Sequence, residues 1–218
     1  MGKNILVIAA TAKEIGPFLK ALRQNSGQLA GHNIDVLITG VGLTATTYHL
    51  LRQLSLKRPQ VVTQAGIAGS FDKQMILGSV VAVKQDRIAD EAVMEGKKLQ
   101  SVFDLKLASR NKFPYSGGWL INKSSVLSKT KLKKVEAVSV NQVTTSKEMV
   151  ELYRKKFHPA IESMEGAAMH YVCLSENIPF IQIRGISNYI GERNKKNWKM
   201  KEAIVTLNTE LLKLIEKL

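Results

Sequence analysis

Residues 161–191 read IESMEGAAMHYVCLSENIPFIQIRGISNYIG, and their pattern sets the fold class. Glu165 stands at a helix start and is followed by small residues. Ala168, Met169, Val172 and Cys173 then recur on one helical face. Asn177 and Pro179 stop the helix, because proline lacks the amide hydrogen and restricts the residue before it. Phe180 to Ile186 is a short run rich in β-branched residues, which predicts a strand closing on Ser187 and Asn188. A carboxylate at a helix start and an amide at a strand end are what a small-ligand site in an α/β protein uses.

The same alternation extends through the chain. Strands are expected at 5–9, 34–38, 61–64, 78–84 and 134–140, with helices at 11–22, 44–56, 147–156 and 198–218. Thr11 and Glu14 have the spacing of a capping box at the first helix. Gly40-Val-Gly42 and Gly66-Ile-Ala-Gly69 are expected as glycine turns at strand ends, and 86–123 as irregular. No repeat or linker-like shift in composition appears. The prediction is one α/β domain over 1–218, with three α/β/α layers and a central mixed sheet.

At 218 residues and 44% hydrophobic composition, the chain can bury one full core. The apolar run near the N-terminus is too short for a signal peptide or a membrane span. The single cysteine cannot form an internal disulfide, so a soluble, reduced, cytoplasmic protein is expected. The net charge of +14 raises nucleic acid as a partner. No helix-turn-helix, zinc-finger or RNP signature accompanies it. The charge reads as a solvated surface, with a softer role in steering an acidic small molecule.

Several chemistries are excluded by pattern. Gly40-Val-Gly-Leu-Thr-Ala45 resembles a dinucleotide fingerprint, yet residues 36–71 contain no Asp or Glu to hold a ribose. The four histidines form no HxH or HxxxH pattern, so no metal centre is expected. A GxSxG elbow and a Walker loop are both absent from the sequence. Glu14 and Glu165 each suit a plain helix cap. Their coincidence with two glycine segments, SMEGAA and RGISN, points to a ligand site instead.

At these residues the chain resembles the nucleoside phosphorylase superfamily. Within it, the likeness is to the nucleosidase branch that holds methylthioadenosine/S-adenosylhomocysteine nucleosidase and futalosine hydrolase. The most specific part is Glu162-Ser-Met-Glu-Gly-Ala-Ala168 with Ile183-Arg-Gly-Ile-Ser-Asn188. The resemblance implies that Glu14 activates the attacking water and that Glu165 holds the ribose hydroxyls, with Met164 packing on the sugar. It places Gly66 and Ile67 at a turn beside sugar and base, Val143 and Thr144 around the base, and Arg184 on the strand leading to the base-binding position.

Asn188 departs from the adenine-specific pattern, which has Asp there. An amide N–H suits a 6-oxo group, so hypoxanthine or guanine fits better than adenine. The resemblance therefore implies hydrolysis of the N-glycosidic bond of futalosine to hypoxanthine, in menaquinone biosynthesis. Three alternatives stay open: a methylthioadenosine/S-adenosylhomocysteine nucleosidase, a purine nucleoside phosphorylase, and a non-catalytic nucleoside- or nucleic-acid-binding protein. The expected partner is a small-molecule nucleoside, with no nucleic acid, membrane or cofactor. A homo-oligomer is implied because a neighbouring subunit often completes the 5′ pocket in such enzymes. Phe103, Phe113 and Tyr115 are candidates for the 5′ substituent.

Overall fold

The computed structural model describes residues 2–218. In chain order the strands are β1 (Asn4–Ala9), β2 (Gln28–Leu29), β3 (His32–Ile38), β4 (Val61–Ser70), β5 (Val80–Asp86), β6 (Ala92–Glu95), β7 (Lys98–Ser101), β8 (Leu120–Ile121), β9 (Lys134–Ser139), β10 (Ile161–Ser163) and β11 (Phe180–Tyr189). The helices are α1 (Gly16–Gln24), α2 (Leu43–Leu56), α3 (Lys147–Phe157), α4 (Gly166–Ser175) and α5 (Met200–Ile215). No helix of the described residues is long and apolar enough to cross a membrane.

Nine strands form one mixed sheet in the order β10-β9-β5-β11-β4-β1-β3-β2, with β8 on β5. β10 also pairs with β4, so five of these strands close on themselves. Alternation along β1 feeds both faces of the sheet. Ile5, Val7 and Ala9 pack with Phe18 of α1 and Leu207 and Leu211 of α5. Leu6 and Ile8 pack with Leu50 of α2 and Met169 and Val172 of α4. This is the expected layered α/β architecture with a mixed central sheet.

Several boundaries differ from the sequence expectation. The first helix begins at Gly16 rather than at residue 11, and Ile15 holds the N-cap position. Residues 12–15 form a turn that Asn208 of α5 secures: its Nδ2 donates to the Glu14 carbonyl at 2.9 Å, and its Oδ1 accepts from Phe18 N–H at 3.0 Å. Gly66 to Gly69 is not a turn but the continuation of β4, registered against Arg184 to Asn188 of β11. The 86–123 region is not wholly irregular, since β6 and β7 pair as an antiparallel hairpin turning at Gly96. The last helix starts at Met200 rather than at 198, because Lys199 N–H is tied to the Ser187 carbonyl at 2.8 Å.

Candidate active site

A cavity of about 440 Å³ opens where β4, β10 and β11 end, bordered by α5 and by the turn before α1. That volume suits a small organic ligand. Glu14, Ile67, Val143, Thr144, Met164, Glu165 and Asn188 all line it. Gly66 and Arg184 do not line it; Arg184 is buried behind the wall at 1% exposure, with Gly66 against its guanidinium. Phe103, Phe113 and Tyr115 lie elsewhere: Phe103 packs edge-on to Tyr115 at 5.1 Å, and Phe113 is exposed. They are therefore removed as candidates for this cavity's wall.

Glu14 is buried and held by three donors. Its Oε2 accepts from Thr11 N–H and Thr11 Oγ1, both at 2.9 Å, and its Oε1 accepts from Ile67 N–H at 3.1 Å. The Thr11 amide contact is half of the expected capping box, formed on a turn that precedes the helix. A carboxylate offers about four acceptor positions, so one remains for a further donor from the cavity.

Glu165 occupies the N-cap position of α4, yet its side chain caps nothing there. Its Oε1 accepts from Gly42 N–H at 3.2 Å, and its Oε2 pairs with Arg184 Nη1 at 3.3 Å. Gly42 reaches this carboxylate through a backbone at φ 96°, a conformation open to glycine and strained for other residues. Glu165 thus has about two acceptor positions left. Arg184 Nη1 also donates to the Ile67 carbonyl at 3.4 Å. The two faces of one residue's peptide groups therefore link both carboxylates: Ile67 N–H holds Glu14, and Ile67 C=O holds the partner of Glu165.

Behind Arg184 lies a buried polar network. With its amide oxygen toward Arg184, Gln182 accepts from Nε at 3.0 Å and donates to His170 Nε2 at 2.8 Å and Asp86 Oδ2 at 3.3 Å. His170 Nδ1 then donates to the Leu120 carbonyl at 2.9 Å, which fixes the neutral tautomer. Burial pushes the His170 imidazole down to about 4. Burial also pushes the Asp86 carboxyl up to about 6, against the attraction of Arg184 and a hydrogen bond from Ser139. Gly166 has to be glycine here: a Cβ would stand 2.2 Å from Asp86 Oδ2 and 2.3 Å from the end of the Gln182 amide.

The wall formed by the end of β11 carries Asn188, whose Oδ1 accepts from Ser187 Oγ at 2.8 Å and whose Nδ2 donates to the Tyr189 carbonyl at 3.0 Å. One N–H and one lone pair stay available. Glu162, which sequence reasoning did not single out, also lines the cavity and is 4% exposed. Its Oε1 accepts from Thr144 N–H at 3.0 Å, and its Oε2 is bonded to Thr144 Oγ1. Burial raises its carboxyl above the usual range, against those two hydrogen bonds. The mouth brings in further unforeseen residues: Lys13, Arg193, Trp198, Met200 and Ile204. Met200 and Ile204 reach the mouth because α5 packs back against β11, which no local pattern reveals.

The family model described as the phosphorylase superfamily matches residues 4–218. Futalosine hydrolase of Thermus thermophilus is 26% identical over 190 residues, covering 86% of this chain and 83% of that protein. The 5'-methylthioadenosine/S-adenosylhomocysteine nucleosidase of Pseudoalteromonas translucida is 23% identical over 212 residues, covering 88% and 83%. The crystal structure of the Helicobacter pylori 5'-methylthioadenosine/S-adenosylhomocysteine nucleosidase superposes with a TM-score of 0.81 at 18% identity, covering all of both chains.

Proposed function

The chain belongs to the phosphorylase superfamily, and from that premise we propose that it hydrolyses the N-glycosidic bond of a 6-oxopurine nucleoside, futalosine, releasing hypoxanthine. The observation that carries the reading is an amide, Asn188, on the wall of a cavity that also holds two pre-oriented carboxylates. Relatives named for futalosine hydrolysis and for methylthioadenosine cleavage both support the reaction type. The Asn188 amide favours the first, since it offers N–H to a 6-oxo group.

In this reading Glu165 accepts from the two ribose hydroxyls with its two remaining positions, and Met164 packs on the sugar. As the glycosidic bond breaks, positive charge builds on the ribose, and those hydrogen bonds strengthen. Glu14 orients water with its one free position and takes the water proton. Arg184 pairs with Glu165 and holds its aim, since a buried carboxylate without a partner is costly. Asn188 stabilises the departing purine through its base edge; an amide does not titrate, so the leaving group's proton comes from another source.

The 5′ substituent of futalosine carries a carboxylate. Lys13 and Arg193, both exposed at the cavity's mouth, are the cations placed to receive it. Val41 at this mouth and Tyr48 and Leu51 farther along, on α2, are exposed apolar residues, and we assign them to a contact with a second copy of the chain.

The test is incubation without phosphate with futalosine, inosine, methylthioadenosine and S-adenosylhomocysteine, following free base by chromatography. Hypoxanthine from futalosine supports the reading. Adenine from the thio-nucleosides alone replaces it with the alternative nucleosidase, and a strict need for phosphate replaces it with a phosphorylase.

A further inference from the structure

Arg184 is held unevenly by its surroundings. Its Nη1 donates to Glu165 Oε2 at 3.3 Å and to the Ile67 carbonyl at 3.4 Å, and its Nε donates to the Gln182 oxygen at 3.0 Å. Nη2 is buried and has no partner among the described residues. The two bonds toward the cavity side are long and share one nitrogen, so alone they let the planar guanidinium pivot about that corner. A buried N–H without a partner gains from any turn that finds it an acceptor. The Gln182 contact is the shortest of the three, sits on a different nitrogen and closes off the pivot. Gln182 and Arg184 stand two residues apart on β11, and the register to β4 and β5 is unbroken between them. Both side chains therefore leave the same face of the strand.

Gln182 is itself oriented from its far side. A primary amide has a donor end and an acceptor end of nearly the same shape, so hydrogen bonding has to choose between them. His170 makes the choice: its Nδ1–H is spent on the Leu120 carbonyl, and Nε2 is left with a lone pair facing the amide. Asp86 adds a second acceptor at the same end. Its Oδ1 already accepts from Arg87 N–H at 2.8 Å and Ser139 Oγ at 3.1 Å, and its Oδ2 faces the amide. Two acceptors at one end require the NH2 group there, which turns the oxygen to Arg184 Nε. Asp86, His170 and Gln182 are fully buried, so bulk water does not compete for these bonds. Resting on the reading that Glu165 receives the ribose hydroxyls, we infer that Gln182 is a positioning residue for glycosidic cleavage: oriented by His170 and Asp86, it locks the Arg184 guanidinium and, through it, the aim of Glu165. Gln182 acts through Arg184 and lines no part of the cavity.

The test compares the full chain carrying Gln182→Met, which keeps the side-chain length and removes both ends of the amide, with wild type on futalosine and 2′-deoxyfutalosine. The deoxy compound lacks one of the hydroxyls assigned to Glu165. The kcat for futalosine should fall by about tenfold to a hundredfold, the worth of a hydrogen bond to a charged group, with KM changing less. For 2′-deoxyfutalosine the fall should be smaller by at least about threefold, because less of its reaction depends on Glu165. Equal losses on both substrates, as a general loosening of the core would give, overturn the inference, and so does an unchanged kcat. A measurement on wild type covers a variant that fails to fold. Nuclear Overhauser contacts should place the Gln182 amide protons beside the His170 ring, and the Arg184 Nε–H should exchange slowly with water. Amide protons lying against the Arg184 Nε–H instead, or fast exchange of that hydrogen, overturn the inference. If wild type releases no base from futalosine, the hydrolysis reading fails by itself, and the same spectra still decide whether Gln182 locks Arg184.

Discussion

Gly66→Ala strikes the point where the two cavity carboxylates, Glu14 and Glu165, are tied together. The added Cβ would stand 2.4 Å from Arg184 Nη1 and 3.1 Å from Glu14 Oε1. Arg184 is 1% exposed, so its guanidinium has no free volume to enter. Restoring an ordinary contact requires a displacement of about 1 Å, which opens the 3.3 Å pair with Glu165. Overpacking of this kind costs about 1–3 kcal/mol, and breaking a buried ion pair about 3–5 kcal/mol. The same movement causes both, so the larger range stands for the total. For a chain of 218 residues that lowers Tm by about 6–20 °C. Turnover should fall further than stability does, by about a hundredfold at temperatures where the variant is folded, because both carboxylates lose their aim. Gly16→Ala is the control, since nothing lies within 4 Å of its Cβ position; it should leave Tm and kcat unchanged. The assays are thermal unfolding and initial rates of base release. A Gly66→Ala protein with wild-type Tm and kcat would refute the claim that Arg184 is held rigidly against both carboxylates.

Three other perturbations separate the remaining roles. Glu14→Gln should lower kcat by about 10²–10⁴-fold with KM little changed; near-normal kcat would remove Glu14 from the base role. Asn188→Asp should shift the ratio of kcat/KM values toward 6-amino over 6-oxo nucleosides, and an unchanged ratio would place base selection elsewhere. Asp86→Asn should change how stability depends on pH. The Asp86 carboxyl is raised from 3.8 to about 6 in the folded chain, so its contribution is complete below 3.8 and lost as pH rises through 6. The His170 imidazole is lowered from 6.5 to about 4, so its contribution is present above 6.5 and lost as pH falls through 4. These trends oppose each other in wild type. Asp86→Asn leaves only the second, and denaturant titrations should show it losing about 1–2 kcal/mol more than wild type between pH 7 and pH 5; parallel profiles would count against it.

Elements whose signals are local were legible in the sequence. β1 carries a continuous apolar run over 5–9, β11 opens on a stretch rich in β-branched residues, α4 is bounded by Asn177 and Pro179, and α3 is capped by Ser146, whose Oγ accepts from Met149 N–H at 3.1 Å. The hairpin of β6 and β7 was not legible, because two four-residue strands, AVME and KLQS, carry too little alternation to stand out. Sheet closure was not legible either. It depends on Glu162 finding Gly69 across 93 positions of chain, and β10 is only three residues long. Glu162 escaped notice for the same reason. Both Glu162 and Glu165 stand in the quoted motif, but the resemblance gives a role only to Glu165, and Glu162's contact with Thr144 is a long-range one.

The misreading of Gly66 to Gly69 shows what a glycine in this chain can mean. Gly40 and Gly42 take positive φ and serve as true backbone switches, as the sequence suggested. Gly66, Gly69 and Gly166 are not among the positive-φ residues; each is small because a side chain from β11 or its surroundings fills the missing volume. Arg184 fills it at Gly66, Ile190 and Asn188 at Gly69, and Gln182 with Asp86 at Gly166. Three glycines in two distant segments thus answer to side chains arriving on one strand or its partner. That is why GIAG, SMEGAA and RGISN belong together although no spacing rule connects them. Volume, unlike a turn, leaves no local signature, so these glycines can be understood only once β4 and β11 are seen side by side.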